Sequence, residues 1–123
     1  MTTDKKKVFI VDDDESVCRA LKYLLTTYGF EVKTFLSGEA FFRAVSHSTP
    51  GCLVLDINMP GLDGWEIQKR LRMQHLSRQV IVMTADKNIE YGERALKAGA
   101  LGFLQKPFND QELVDLVNKS FVI

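Results

Sequence analysis

Five short apolar runs punctuate a chain that is otherwise a mixture of polar and apolar positions. Val8-Phe9-Ile10-Val11, Leu53-Val54-Leu55 and Val80-Ile81-Val82-Met83 are nearly continuous, Glu31-Val32-Lys33-Thr34-Phe35 alternates, and Gly102-Phe103-Leu104-Gln105 is brief. Continuous apolar runs of this length suit strands covered on both faces, and strict alternation suits a strand covered on one. Between the runs the spacing changes to three and four residues. Val17, Leu21, Leu24, Leu25 and Tyr28 form one helical stripe, closed by Gly29. Ser37 caps a short helix over Ala40 to Val45. Trp65, Ile67, Leu71 and Leu76 mark a third helix. Ile89 to Ala98 is a weaker fourth, stopped by Gly99. Asn109 with Glu112 reads as a capping box opening a last helix, whose inner stripe is Leu113, Leu116, Val117 and Phe121.

Strands alternating with helices at these lengths predict an α/β fold, a doubly wound five-stranded parallel sheet with helices on both faces. The common order for five such strands is 2-1-3-4-5. The 123 residues read as a single domain, 1–123, with no repeat, low-complexity tract or long linker. In that order the first and third strands are neighbours, and the switch point lies between them. The polar residues that end the strands then meet on one rim. Asp12 and Asp13 end the first strand, Asp56 the third, Thr84 the fourth and Lys106 the fifth. Asp14 and Glu15 read instead as acids at a helix N-terminus.

Charge and composition narrow the function. Acids and bases balance at 16 each, which argues against nucleic-acid binding by this domain and against membrane attraction. No apolar run nears the roughly 20 residues of a membrane span. The two cysteines, Cys18 and Cys52, lack metal-ligand spacing and read as reduced core residues of a cytoplasmic protein. His47 and His75 stand in polar surroundings and read as surface residues. Phe35, Phe41 and Phe42 read as core, and Trp65 as packing near the Asp56 loop.

Three neighbouring carboxylates repel, and a cation is the usual compensation. Oxygen ligands with room for water suit Mg2+. Lys106 adds a movable charge for a phosphoryl group, and the Thr84 hydroxyl and loop N–H groups can hold further phosphoryl oxygens. Phosphoryl transfer needs mainly positioning and charge neutralisation. A carboxylate able to accept the group covalently completes the set, and no general-base His is placed in it.

The motifs Ile10-Val11-Asp12-Asp13-Asp14, Leu55-Asp56-Ile57-Asn58-Met59-Pro60-Gly61-Leu62-Asp63-Gly64, Met83-Thr84-Ala85, Lys97-Ala98-Gly99-Ala100 and Lys106-Pro107-Phe108 stand in order across essentially the whole chain. In this order and spacing the sequence resembles the receiver (CheY-like, flavodoxin-like) domain of two-component response regulators. Phe41-Phe42 and Gln105-Lys106-Pro107-Phe108 resemble the FixJ-like branch. The resemblance implies a signalling domain, not an enzyme with an external substrate, that takes a phosphoryl group on Asp56 from a histidine kinase or phosphotransfer protein. It implies Mg2+ held by Asp13, Asp56 and the Asn58 carbonyl, with Asp12 acting through water. Thr84 and Lys106 would contact the phosphoryl group, with backbone help from Asn58 and Ala85. Asn58 and Asp86 would flank the path of attacking water, Lys106-Pro107 would be cis, and Phe103 would be the aromatic switch. Many relatives carry Tyr at that position, so a hydroxyl-mediated contact is lost. The chain stops after the fifth helix, so an output domain is either absent or cut away.

The fourth helix is the expected moving part. Gly92 costs it about 1 kcal/mol relative to Ala. Gly92, Ala95 and Leu96 are expected to face inward, and Tyr91, Arg94 and Lys97 outward. A homodimer through the fourth helix, fifth strand and fifth helix is the expected response. The rivals are a magnesium-dependent phosphohydrolase with its nucleophile on the first strand, a degenerate receiver serving only as a binding module, and a flavodoxin-type flavin module. Asp12-x-Asp14-x-Ser16 only distantly fits the first, the full acidic set and Lys106 oppose the second, and no phosphate loop supports the third.

Overall fold

A computed structural model describes residues 6–46, 49–73, 79–88 and 90–122, with the backbone alone at Met73. The strands are β1 (Lys7–Val11), β2 (Glu31–Phe35), β3 (Cys52–Asp56), β4 (Gln79–Thr84) and β5 (Gly102–Gln105). The helices are α1 (Glu15–Thr27), α2 (Gly38–Ala44), α3 (Gly64–Met73), α4 (Glu90–Lys97) and α5 (Asp110–Ser120). All pairings are parallel and the order is β2-β1-β3-β4-β5, as the alternation predicts.

Because successive strand residues face opposite sides, each strand feeds two cores. Val8 and Ile10 of β1, Cys52 and Val54 of β3, and Ile81 and Met83 of β4 meet Cys18, Leu21 and Leu25 of α1 and Leu113 and Val117 of α5. The alternate residues, Phe9 and Val11, Leu53 and Leu55, Val80 and Val82, meet Phe41 of α2, Ile67 and Leu71 of α3, and Ala95 of α4. All five β3 residues are buried, which is what a central strand covered on both faces requires. Full burial of each large side chain contributes roughly 1.5–3 kcal/mol.

Local chemistry sets the helix starts. Asp14 caps α1, its Oδ1 accepting the Ser16 N–H at 2.9 Å. That bond and the Ser16 hydroxyl hold its carboxyl below the usual carboxylate range. Ser37 caps α2, and the Asn109–Glu112 capping box opens α5. The Gly64 N–H donates to the Ile57 carbonyl (3.0 Å), so the start of α3 lies directly against the end of β3.

Several expectations change. Leu96 is 52% exposed, not inward. Ala95 is buried against the sheet, and the next residue is turned about 100° away around the helix. Tyr91 is half-buried and packs edge-on against Trp65, with ring centroids 5.6 Å apart, rather than facing out. Tyr28 closes α1 as its C-cap and is exposed, because the helix ends at Thr27, one residue before it. Trp65 packs on the cluster that holds the loop residues Ile57, Met59 and Leu62, and also against α4, with Arg94 over its ring at 4.0 Å. Helix α2 begins two residues early, at Gly38. Cys18 and Cys52 are both buried free thiols, each pushed up to about 11 chiefly by burial. Leu76, His47, His75 and Ile89 lie outside the described residues. No described helix is long and apolar enough to cross a membrane.

Gly64 has a close-approach role. A Cβ there would sit 2.6 Å from the Ile57 Cα and 2.9 Å from the Asp56 carbonyl oxygen, both backbone atoms that cannot swing aside. Gly64→Ala should lower stability by about 1–3 kcal/mol, the usual cost of overpacking. Chemical denaturation measures it; a change below about 0.5 kcal/mol would show that the α3 start yields freely.

Candidate functional site

The strand register builds the site. Val11 pairs with Leu55, so the residues after them, Asp12 and Asp56, leave the sheet side by side. Asp56 pairs with Met83, and Thr84 with Gln105, which aligns Thr84 and Lys106 on the same rim. The Lys106 N–H donates to the Thr84 carbonyl at 2.7 Å, extending the ladder to the base of the lysine side chain.

One carboxylate oxygen from each of Asp12, Asp13 and Asp56 lies within 4.8 Å of the other two. The three environments differ. Asp12 is fully buried; its Oδ2 accepts from Lys106 Nζ at 2.7 Å and its Oδ1 from the Asp14 N–H at 2.9 Å. Asp13 is exposed. Asp56 is 5% exposed and lies 3.9 Å from Lys106 Nζ through Oδ2, while its Oδ1 accepts the Asn58 N–H at 3.2 Å. Burial, and then the neighbouring charge of Asp12, push the Asp56 carboxyl up to about 6, against the smaller opposing pull of Lys106. Both oxygens of Asp12 are thus engaged, which leaves it poorly placed as the nucleophile that a first-strand phosphohydrolase would need.

Thr84 is buried, and its Oγ1 accepts from the Asn58 amide (Nδ2, 2.7 Å) and from the Asp86 N–H (3.0 Å). Ala85 is exposed on the loop after β4. The Lys106–Pro107 peptide is cis. Phe103 stands apart from the acidic cluster: half-buried on β5, it lies under α4, where a Cβ on Gly92 would meet its ring at 3.2 Å. The sequence reading missed the side-chain bond from Asn58 to Thr84. The only available signal was an amide two residues past the strand end, which is equally common in turns. It also missed the buried Gln68, whose Nε2 donates to the Ala95 carbonyl at 3.3 Å.

The response regulator receiver domain family matches residues 8–118. The chain belongs to that family. It is 36% identical over 118 residues to the transcriptional regulatory protein FixJ of Bradyrhizobium diazoefficiens, covering 96% of this chain and 58% of that protein. It is 40% identical over 113 residues to nodulation protein W of the same organism, covering 92% of this chain and 50% of that one. The crystal structure of FixJ-N superposes with a TM-score of 0.88 at 32% identity, covering 98% of both chains. The chain thus spans about half the length of its curated relatives. It is a CheY-like receiver domain of the two-component kind, a signalling domain whose relatives are transcriptional response regulators. Receiver domains bind Mg2+ at an acidic site, and the donors fit: three hard carboxylate oxygens on a partly open rim.

The raised Asp56 carboxyl has a consequence for stability. Its folded value of about 6 exceeds the ordinary 3.8, so ionising it opposes folding. That part of the stability is intact below about pH 3.8 and is lost as pH rises to about 6. In magnesium-free buffer Asp56→Asn should therefore be more stable than the parent by about 3 kcal/mol at pH 7.5, and nearly equal to it near pH 4. Thermal melts of both proteins across that range test this; a gap that does not change with pH would refute it. Added Mg2+ should stabilise the parent and leave the variant nearly unchanged.

Proposed function

We propose that Asp56 is the phosphoacceptor, taking a phosphoryl group from the phosphohistidine of a partner kinase or phosphotransfer protein. The observation that carries this reading is the pairing of a buried, partly neutralised Asp56 with Lys106 and two further carboxylates on one rim. An Asp56 carboxylate oxygen forms a bond to phosphorus as the phosphorus–nitrogen bond to the donor breaks, giving an acyl phosphate and a neutral histidine. Asp13, Asp56 and the Asn58 carbonyl would hold Mg2+, with Asp12 acting through water; when bound, the ion neutralises the carboxylates and the incoming oxygens. Lys106, now tied to Asp12, is within reach of a phosphoryl oxygen on Asp56. The N–H groups of Asn58 and Ala85 supply further donors. The domain catalyses its own phosphorylation and dephosphorylation and no other reaction, and Asp86 and Asn58 flank the approach of hydrolytic water.

The same reading gives a switch. The Thr84 hydroxyl turns from Asn58 and Asp86 toward the phosphoryl group, and Phe103 follows into the vacated space beside α4. The altered α4–β5–α5 face would then pair two copies or engage an output domain.

Intact-mass measurement with acetyl phosphate and Mg2+ should show one added phosphoryl group, absent in Asp56→Asn. Many turnovers of free phosphate would instead favour a phosphatase. Asp13→Ala should lose Mg2+ affinity by at least about tenfold, and Asp12→Ala less, because loss of direct ligation outweighs loss of ligation through water. Equal losses in a magnesium titration would remove the division of roles.

A further inference from the structure

Helices α3 and α4 enclose a cleft of about 310 Å³ lined by Trp65, Lys69, Arg72, Arg94, Lys97 and Ala98. Four cations face it, and no carboxylate lines it. Among the described residues none of the four has an ion-pair partner; the acid at the start of α3, Glu66, is taken by Arg70. The α4 acids Glu90 and Glu93 line a neighbouring depression that shares Arg94 and Lys97 with the cleft. The whole chain carries no net charge, so this is a local excess. Cations in the last helical turns complement the helix dipoles, which explains Arg72, Arg94 and Lys97 individually. It does not explain why Lys69 joins them, or why rows from two helices converge on one cleft.

The cations form two rungs. Lys69 and Arg72 are three residues apart on α3, and Arg94 and Lys97 are three apart on α4. Each spacing is a rise of about 4.5 Å along a helix. Carboxylates three or four residues apart on an opposing helix match that rise, whereas a single small anion meets one rung. Arg94 Cζ lies over the Trp65 ring at 4.0 Å, which helps fix the position of the guanidinium beside the cleft. Trp65 and Ala98 supply the apolar floor that an amphipathic segment would cover.

We propose that the α3–α4 cleft docks an acidic amphipathic helix of a partner protein. Carboxylates of that helix pair with the two rungs, and one apolar side chain rests on Trp65. The site is separate from the Asp56 chemistry and does not depend on it.

Trp65 is the chain's sole tryptophan and reports on its own cleft. The full chain would be titrated with a synthetic helical peptide carrying Glu at three- and four-residue spacing and one Leu, followed by fluorescence and by calorimetry. A saturable response is expected, weakened at least about tenfold by high salt. The doubly reversed variant Lys69→Glu with Lys97→Glu should bind at least about tenfold more weakly. Both lysines are exposed, so circular dichroism should be unchanged, and uptake of one phosphoryl group from acetyl phosphate keeps the two readings separable. The absence of a saturable response, equal binding by the reversed variant, equal binding of a Lys-for-Glu peptide, or an equal response to inorganic phosphate would each overturn the proposal. Tighter binding of a single-stranded oligonucleotide would overturn it in favour of nucleic acid.

Discussion

Three carboxylates held within 4.8 Å of one another at the end of an apolar sheet are the constraint on which the rest of this structure depends. Nothing local makes that arrangement favourable. It exists because β1 and β3 are adjacent and in register, and because both strands are buried along most of their length and cannot slip without exposing an entire face. The two core layers therefore supply the free energy that the cluster costs. Their large side chains are distributed accordingly, with Phe9, Leu53, Leu55, Ile10 and Ile81 fully or nearly fully enclosed next to the rim strands.

Lys106 decides how the strain is shared. It approaches Asp12 at 2.7 Å and Asp56 at 3.9 Å, so its Coulombic support for Asp56 is smaller by about a third at equal dielectric. Asp12 has a second donor in the Asp14 N–H, which the α1 cap holds in place. Asp56 is left with the weaker pull from Lys106, too small to offset burial and the charge of Asp12, which raise its carboxyl. A cation beside Asp56 would relieve this imbalance. Binding is then favoured by strain already present in the free protein, which agrees with the placement of strained groups at working sites.

The sheet order and the rim residues were legible in the sequence because both follow from short-range pattern. Apolar runs of four or five residues ending in Asp, Thr or Lys carry the strand, its burial and its polar tip in a single stretch. Parallel alternation then leaves few ways to order the strands. What was not legible depends on the rotation of one helix about its axis. On α4 the inward stripe was read as Gly92, Ala95 and Leu96; the sheet takes Ala95 over Val80 and Val82 and Gly92 against Phe103, and leaves Leu96 out. Turning Ala95 inward carries Leu96 out and Tyr91 partly in, so a single phase error accounts for both misplacements. The α4 contacts of Trp65 were hidden for a related reason: its partners, Tyr91 and Arg94, are distant in sequence and lie on that same helix. The Asn58–Thr84 bond was hidden because no spacing rule links a loop amide to a hydroxyl 26 residues away.

Helix α4 is where these features meet. Ala95 is its buried residue, and Gly92 offers only a surface for the Phe103 ring. Besides the Trp65 contacts with Tyr91 and Arg94, its side-chain hydrogen bond to α3 is the Gln68 amide on the Ala95 carbonyl at 3.3 Å, a long bond to an oxygen that also accepts the Ala100 N–H. Gln68 Oε1, buried in the same contact, has no hydrogen-bond partner among the described residues. A buried acceptor left unpaired costs about 1–3 kcal/mol, so the α3–α4 contact is worth less than its burial alone would give. A weakly held helix between two strongly paired strands can shift at low cost while β4 and β5 stay in place. One flank of α4 rests on the Phe103 ring of β5, and the other carries half of the basic cleft. Displacing α4 would move Arg94 and Lys97 relative to Lys69 and Arg72, changing the spacing between the two rungs.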